Sequence, residues 1–478
     1  MGEGETRIYQ KGPLTIGIHT PERKHLNLLK EEFTALVEGC IFTPQYKSGN
    51  WDGRICMISM DGSMPYGLLT DLLRAHKKLF PEVKIRVDDS VKEMYRRGAS
   101  ITPNYDLSLV PYPYQTDCIE KSLTYGVGIV RSSVSSGKSL MISYIIKTLL
   151  ESGTISNCLL LVPNKSLVEQ FYSDMGEYGL SNIISVGRVY QKYKDWDNQV
   201  VIATWQTMMN NTDRLPHYQS VIVDETHTVR GKVLRDILSQ MVNAKFRLGF
   251  TGTMPPGKLE SWNVKSFLGP IIADYSSGEL AEQGYISKCN VRIYNIQYQN
   301  DYNGTYDDVK DAIFNNEFRL NMVRNIIQEA DSNILVLVGK VAKEGDILKE
   351  WLETRLEGKE IVFLSGRDDV DKREMWRKEC EVKRNIVLIA TYAIFQQGIN
   401  IPSLKYILLA SPFKSKVRVL QSVGRALRKH IDKKDGAWIY DIQDVAKYLD
   451  KHGNIRSRYY SSEGFNVEDI VVEEGQTF

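Results

Sequence analysis

The chain lacks any apolar run of the roughly 18–20 residues that a membrane-spanning helix needs, so a helical membrane protein is excluded. The opening stretch MGEGETRIYQ has acidic residues and no apolar core, and it does not read as a secretory signal. Cysteine is scarce and scattered: Cys40, Cys56, Cys118, Cys158, Cys289 and Cys380 contain no CxxC pair, and the seven histidines do not cluster with them. A zinc site and a disulfide framework are thereby set aside, and a reducing compartment is expected. Neither sign of charge is in excess: 61 Lys+Arg stand against 59 Asp+Glu, a net +2. Total charge therefore does not point to nucleic acid. No short-period repeat and no low-complexity tract is present, which excludes a solenoid. Hydrophobic (42%) and charged (25%) fractions are ordinary for a globular chain, and 478 residues make three domains a reasonable expectation.

What is there is organised. Residues 1–100 mix short strand-like runs with turns: ICMISM (55–60) reads as a strand, DGSMPYG (61–67) as a turn cluster, and LLTDLLRAHKKLF (68–80) as a helix. A small α+β domain is expected, followed by a proline-bearing connector over 101–115. From there to about 285, apolar runs alternate with amphipathic helices: GVGIV (126–130), CLLLV (158–162), VVIAT (200–204), SVIVD (220–224) and FRLGF (246–250). Continuous apolar runs of this length are buried parallel strands covered by helices on both faces. ILVLV (334–338), EIVFL (360–364), NIVLIA (385–390), YILLA (406–410) and AWIYD (437–441) repeat the theme. The division predicted is 1–100, 101–287, 288–451 and an acidic tail over 452–478. Lys405 to Lys434 holds nine Lys/Arg and one acid, while Glu463 onward holds five acids and no Lys/Arg. The basic segment suits phosphates or is simply a solvated helix face.

Chemistry concentrates at the ends of the apolar runs. SSVSSGKS (132–139) follows one strand and precedes a helix. Backbone N–H groups of such a loop attract phosphate oxygens; Ser135, Ser136 and Gly137 line it, Lys138 reaches the β/γ phosphates and Ser139 holds Mg²⁺. A P-loop would carry glycine at Ser132, so this motif alone is degenerate. SVIVDETH (220–227) ends a strand in paired acids: Asp224 suits the Mg²⁺ shell and Glu225 the polarisation of an attacking water. A surface acidic turn is the plain alternative, but two motifs in the right order and context favour hydrolysis of a nucleoside triphosphate. In QSVGRALR (421–428), Arg425 and Arg428 share a helix face. They are either charge-neutralising fingers for the transferring phosphate or a solvated basic helix.

Taken together, these residues resemble superfamily 2 helicases of the DExH type over roughly 112–445. PYPYQ (111–115) resembles the adenine-reading element, with Gln115 reading the base. SSVSSGKS is similar to motif I, VPNKSLVEQF (162–171) to motif Ia, and ATWQTM (203–208) to the later nucleic-acid motif. DETH is similar to motif II, TGT (251–253) to motif III, ATYAIFQQGINIP (390–402) to motif V, and QSVGRALR to motif VI. YKSGNWDGRI (46–55) and MPYGLL (64–69) resemble the amino-terminal domain of the UvsW-type phage DNA helicases. The chain departs from the family at Ser132, at Ser135 where glycine is usual, and at Asn400 where aspartate is common.

The resemblance implies two tandem RecA-like α/β domains with parallel sheets, preceded by the small α+β domain, and ATP with Mg²⁺ between the two. Catalytic roles fall to Lys138, Asp224, Glu225, Gln421, Arg425 and Arg428, and nucleotide contacts also to Gly398. Coupling is implied for His227, Thr251, Thr253 and Asn400. Lys165, Thr204, Gln206 and Thr391 are the implied DNA grips. In the small domain, Trp51, Tyr46 and Tyr66 beside Lys47 and Arg54 could stack on bases or wedge a junction, or could be that domain's core. The implied activity is ATP-dependent unwinding, fork regression and junction branch migration on forked, four-way or single-stranded DNA. A monomer in the cytoplasm is expected, the host's if the chain is phage-encoded, alongside recombination or replication proteins. The alternatives are an RNA helicase, a double-strand translocase subunit of a restriction system, or an ATP-switched nucleic-acid binder without unwinding.

Overall fold

The apolar runs become strands almost residue for residue. The computed structural model describes the chain except residues 1–3, 96–100, 134, 229–230, 256, 301, 397–400, 412–429, 431–432, 450–452, 454–455, 459, 462 and 477–478. The chain divides into two units: Met1–Ser132 with Gly137–Asp274, and Tyr275–Phe478 with Ser133–Ser136.

The first unit opens with β1 (Glu5–Gly12) and β2 (Thr15–His19), an antiparallel pair. A separate ribbon pairs β3 (Thr34–Leu36) with β4 (Arg54–Cys56). Of the run expected as a strand over 55–60, only Ile55 and Cys56 are extended in this ribbon. β5 (Ser63–Pro65) and β6 (Lys84–Val87) complete a four-stranded sheet in the order β5-β2-β1-β6. The helix Leu69–Leu79 buries Leu69, Leu72 and Ala75, the one stripe its spacing allows.

This small domain is fused to the helix Lys258–Leu268 of the same unit. Tyr66 is fully buried and its hydroxyl donates to the Phe267 carbonyl at 3.1 Å. Lys265 pairs with Asp71 at 3.1 Å, and Phe33 stacks on Trp262 at 5.3 Å. Gly67 lies so close to this helix that a Cβ would stand 1.8 Å from the Lys265 carbonyl oxygen. Of the two readings left open for Tyr66, the core one holds: it is buried and seats the small domain on this helix.

The large sheet of this unit comprises β7 (Val127–Ser132), β8 (Cys158–Val162), β9 (Val186–Tyr190), β10 (Tyr193–Lys194), β11 (Val200–Thr204), β12 (Ser220–Asp224), β13 (Phe246–Thr251) and β14 (Ile271–Tyr275). Their order is β10-β9-β11-β8-β12-β13-β7-β14. From β9 to β7 every neighbouring pair is parallel, and β10 returns antiparallel to β9. Every residue of β8, β11, β12 and β13 is buried, the two-faced burial that produces uninterrupted apolar runs.

The second unit holds β15 (Cys289–Gln297), β16 (Ile334–Val338), β17 (Glu360–Leu364), β18 (Ile386–Thr391), β19 (Tyr406–Leu409), β20 (Ala437–Val445) and β21 (Asn466–Glu473), in the order β17-β18-β16-β19-β20-β15-β21. All the pairings are parallel. Among the described residues three buried ion pairs lie inside it: Arg319 with Asp444 and Arg456 with Asp441, each at 2.8 Å, and Lys310 with Glu344 at 2.6 Å. Two sequence expectations change here. The units divide at Asp274/Tyr275, ahead of the expected break at 287/288. The expected acidic tail contains β21, an edge strand paired along its length with β15; Arg292 answers Glu468 at 2.7 Å.

Candidate active site

Parallel strands all finish on the same side of a sheet, so β7, β8, β11, β12 and β13 deliver their last residues to one edge. The predicted site residues of the first unit collect there. Gly137 caps the helix Lys138–Glu151 at φ 74°, a left-handed conformation that suits glycine. Its bare α-carbon also admits the Gln115 amide, which would stand 2.4 Å from a Cβ. Gln115 is buried, and its carbonyl accepts from the Tyr112 N–H at 2.8 Å, fixing the start of the helix Pro113–Tyr125. Ser135 adopts φ 69°, which explains why glycine is usual at this loop position. Ser136 is buried beside it.

Lys138 donates to the Ser132 carbonyl at 3.4 Å and stands 3.8 Å from a Glu225 oxygen. Glu225 sits at φ 49°, a strained position for a non-glycine residue. The other Glu225 oxygen is 3.2 Å from His227 Nδ1. That nitrogen is 2.7 Å from the Thr251 hydroxyl, which donates its only proton to the Thr253 carbonyl at 2.7 Å. Thr251 must therefore accept from His227, which fixes the proton on Nδ1. Burial holds the imidazole below its ordinary pKa, so it is neutral. Lys138, Glu225 and His227 thus stand in succession within ion-pair range, and hydrogen bonds continue from His227 to Thr251 and Thr253.

Asp224 is buried at the tip of β12. Burial, reinforced by Glu225 and opposed by Lys138, pushes its carboxyl up to about 7. Asp224 Oδ1, Glu225 Oε2 and His227 Nε2 are buried and, among the described residues, have no hydrogen-bond partner. A buried acid in this condition needs a cation or a donor. The chemistry fits a magnesium-bound phosphate, with Asp224 and the Ser139 hydroxyl as oxygen donors. Sequence reasoning missed one participant. The Tyr178 hydroxyl lies 2.9 Å from Ser139 Oγ, at the far end of the helix Lys165–Glu177, and a contact 39 residues away leaves no local pattern.

The expected DNA grips of the first unit occupy the same edge. Lys165 is exposed at the first turn of its helix, and Gln206 is exposed with its amide 3.4 Å from the Pro163 carbonyl. Thr204 is buried, and its hydroxyl caps the helix Trp205–Met209. Thr391 ends β18 in the second unit and is also buried. Gly398, Asn400, Gln421, Arg425 and Arg428 lie outside the described residues. On the small domain, Lys47 and Arg54 are exposed, and the half-buried Trp51 donates to the Arg54 carbonyl at 2.9 Å. Around them Leu36, Ile41, Phe42 and Ile55 are exposed, Phe42 by 74%. The sequence did not single these out, because exposure of an apolar side chain is invisible without the fold.

Three family descriptions match: "DNA helicase UvsW, N-terminal" over 19–90, "Type III restriction enzyme, res subunit" over 108–256, and "Helicase conserved C-terminal domain" over 319–430. The ATP-dependent DNA helicase uvsW of Enterobacteria phage T4 is 25% identical, the match covering 93% of this chain and 95% of that protein. The DNA 3'-5' translocase XPB2 of Sulfurisphaera tokodaii is 21% identical over 76% of this chain and 88% of its own length. The crystal structure of T4 UvsW superposes with TM-score 0.50 and 23% identity, covering 98% of this chain and 99% of that one.

Proposed function

We propose that this chain is a superfamily 2 helicase most like the UvsW-type phage DNA helicases, an ATP-driven motor acting on branched DNA. The observation that carries the reading is the cluster of Lys138, Glu225, His227 and Thr251 beside Asp224, whose Oδ1 is buried at the end of a parallel strand with no hydrogen-bond partner among the described residues. Lys138 and the loop N–H groups hold the triphosphate. Ser139 and Asp224 hold Mg²⁺, which supplies charge neutralisation at the phosphates when bound. Glu225 takes the proton of the attacking water; its strained backbone and its contacts to Lys138 and His227 aim it. His227, locked in one tautomer, passes the state of Glu225 to Thr251 and Thr253. Arg425 and Arg428 are the proposed fingers, and Gln421, Gly398 and Asn400 the remaining second-unit contributors.

Lys165, Thr204, Gln206 and Thr391 hold the sugar-phosphate backbone, a grip without sequence preference. Trp51, Lys47 and Arg54, on a domain that also exposes Phe42, Ile41 and Leu36, meet the branch point; apolar side chains of this kind wedge between base steps. The chain works as a monomer in the cytoplasm, the host's if phage-encoded, beside recombination or replication proteins. A strand-displacement assay on forked and four-way DNA, with ATP hydrolysis compared on DNA and RNA, tests the proposal. Unwinding with DNA-stimulated turnover is expected. Stimulation by RNA alone, or ATP binding without displacement of either substrate, would overturn it.

A further inference from the structure

The hairpin at the outer edge of the first unit's sheet has no place in the helicase motifs. β9 runs parallel to β11 with Val189 opposite Ala203, so Tyr190 ends beside Thr204. The turn Gln191–Lys192 follows at once, and β10 returns with Tyr193 opposite Tyr190. The tip therefore projects from the edge that carries Glu225, Lys165 and Thr204. It stands two strands beyond the end of β8, about 10 Å at the usual strand spacing. That distance is spanned by about three nucleotides of a backbone rising 3.4 Å each.

The hairpin is braced although β10 is two residues long. The Arg188 guanidinium lies between the Tyr172 and Tyr193 rings, 4.4 and 4.1 Å from their centroids. Glu169 accepts from Arg188 and, at 2.5 Å, from the Tyr190 hydroxyl. Tyr172 and Glu169 belong to the helix that begins at Lys165, so hairpin and grip form one rigid body. The tip is built against local preference. Two-residue hairpin turns favour Gly, Asn or Asp, yet here Gln191 takes φ 46° and Lys192 follows. A strained turn that keeps two long polar side chains points to use of those side chains. Lys192 and Lys194 are exposed, and among the described residues neither pairs with a carboxylate.

We propose that this hairpin is a further DNA grip, in which Lys192 and Lys194 hold backbone phosphates of the tracked strand as it leaves Lys165 and Thr204. The proposal rests on the DNA-motor reading above. Its test is the full chain carrying Lys192→Gln and Lys194→Gln, with binding to a single-stranded oligothymidylate measured by anisotropy across salt concentrations. Two lost phosphate contacts should make the log–log salt slope shallower by about 1.4 and weaken binding about tenfold at 0.15 M salt. ATP hydrolysis without DNA, and the maximal rate at saturating DNA, should not change. Lys192→Arg with Lys194→Arg should restore the slope. An unchanged slope and affinity in the Gln variant, or a lost maximal rate, would overturn the hairpin grip while leaving the motor standing. A parent protein that neither binds the oligonucleotide nor responds to it in hydrolysis would sink the motor reading instead.

Discussion

Replacing Asp224 with asparagine should stabilise the nucleotide-free protein at high pH and do little at low pH. Burial, then repulsion from Glu225, raises this carboxyl from 3.8 to about 7, and Lys138 only partly offsets them. In the unfolded chain Asp224 titrates as an ordinary carboxyl. Between about pH 4 and pH 7 the folded state therefore carries a proton that the unfolded state has lost. Stability falls as pH rises through that window and levels off above it. At 1.4 kcal/mol per pH unit, about three units amount to about 4 kcal/mol. Asparagine cannot titrate, so the difference between variant and parent should be flat near pH 4 and climb to a plateau above pH 7. Any fixed cost of burying the new amide cancels in that comparison, and neutral His227 contributes equally to both proteins. At about 2 °C per kcal/mol the plateau amounts to about 8 °C in the melting of the first unit. Thermal unfolding in EDTA from pH 4.5 to 8.5 reads it directly. Magnesium with a non-hydrolysable ATP analogue should then erase the parent's deficit and leave the variant unmoved. A difference independent of pH, or one that shrinks as pH rises, would refute the reasoning, because it would mean that the acid is not desolvated in the empty site.

Three further outcomes are expected. Glu225→Gln should retain ATP binding by filter or fluorescence assay while hydrolysis drops about 10²–10⁴-fold, the usual worth of a positioned base; normal turnover would remove it from that role. Gly67→Ala places a Cβ 1.8 Å from the Lys265 carbonyl oxygen, so it should loosen the small domain by about 3 kcal/mol and speed its release in limited proteolysis, with ATP binding kept. Arg319→Met leaves Asp444 charged and buried, which should cost the second unit about 3–5 kcal/mol in denaturant titration, and adding Asp444→Leu should recover most of it.

Legibility followed burial. Cys158–Val162, Val200–Thr204, Ser220–Asp224, Ile334–Val338 and Glu360–Leu364 match the structure to the residue; the first three are central strands buried on both faces, which makes their sequences short uninterrupted runs of mostly apolar residues. Edge strands obey no such constraint. Val186–Tyr190 is buried only at alternate residues, and Asn466–Glu473 is mostly exposed and acidic, so one was missed and the other read as a tail. The nucleotide loop and the acid pair were legible because each is a local string of fixed spacing. The Ser139–Tyr178 contact, the His227 tautomer and the seating of Tyr66 depend on residues far apart in sequence, and no local pattern encodes them. The same limit applies to the small domain's apolar surface: Phe42 in sequence is indistinguishable from a core phenylalanine, and only the fold reveals its 74% exposure.

The placement of the proposed grips also constrains how such a motor could move DNA. Lys165 and Thr204 sit at the ends of β8 and β11, strands hydrogen-bonded side by side within a sheet that is buried on both faces. The hairpin tip is locked to the Lys165 helix through Arg188 and Glu169. Distances among these points are fixed by backbone pairing and close packing, which deform little without breaking. A nucleotide-driven change at Glu225 and His227 therefore cannot slide one of them past another. The first unit can hold a strand or release it, but it cannot translate the strand. Translocation would require a second grip on a separate body, and the second unit, with the proposed contact Thr391 at the end of β18 in its own parallel sheet, is a separate compact unit. The ATP-linked change in affinity must then alternate between two rigid holders, so a variant that weakens only one holder should lower force and processivity before it lowers the rate of hydrolysis.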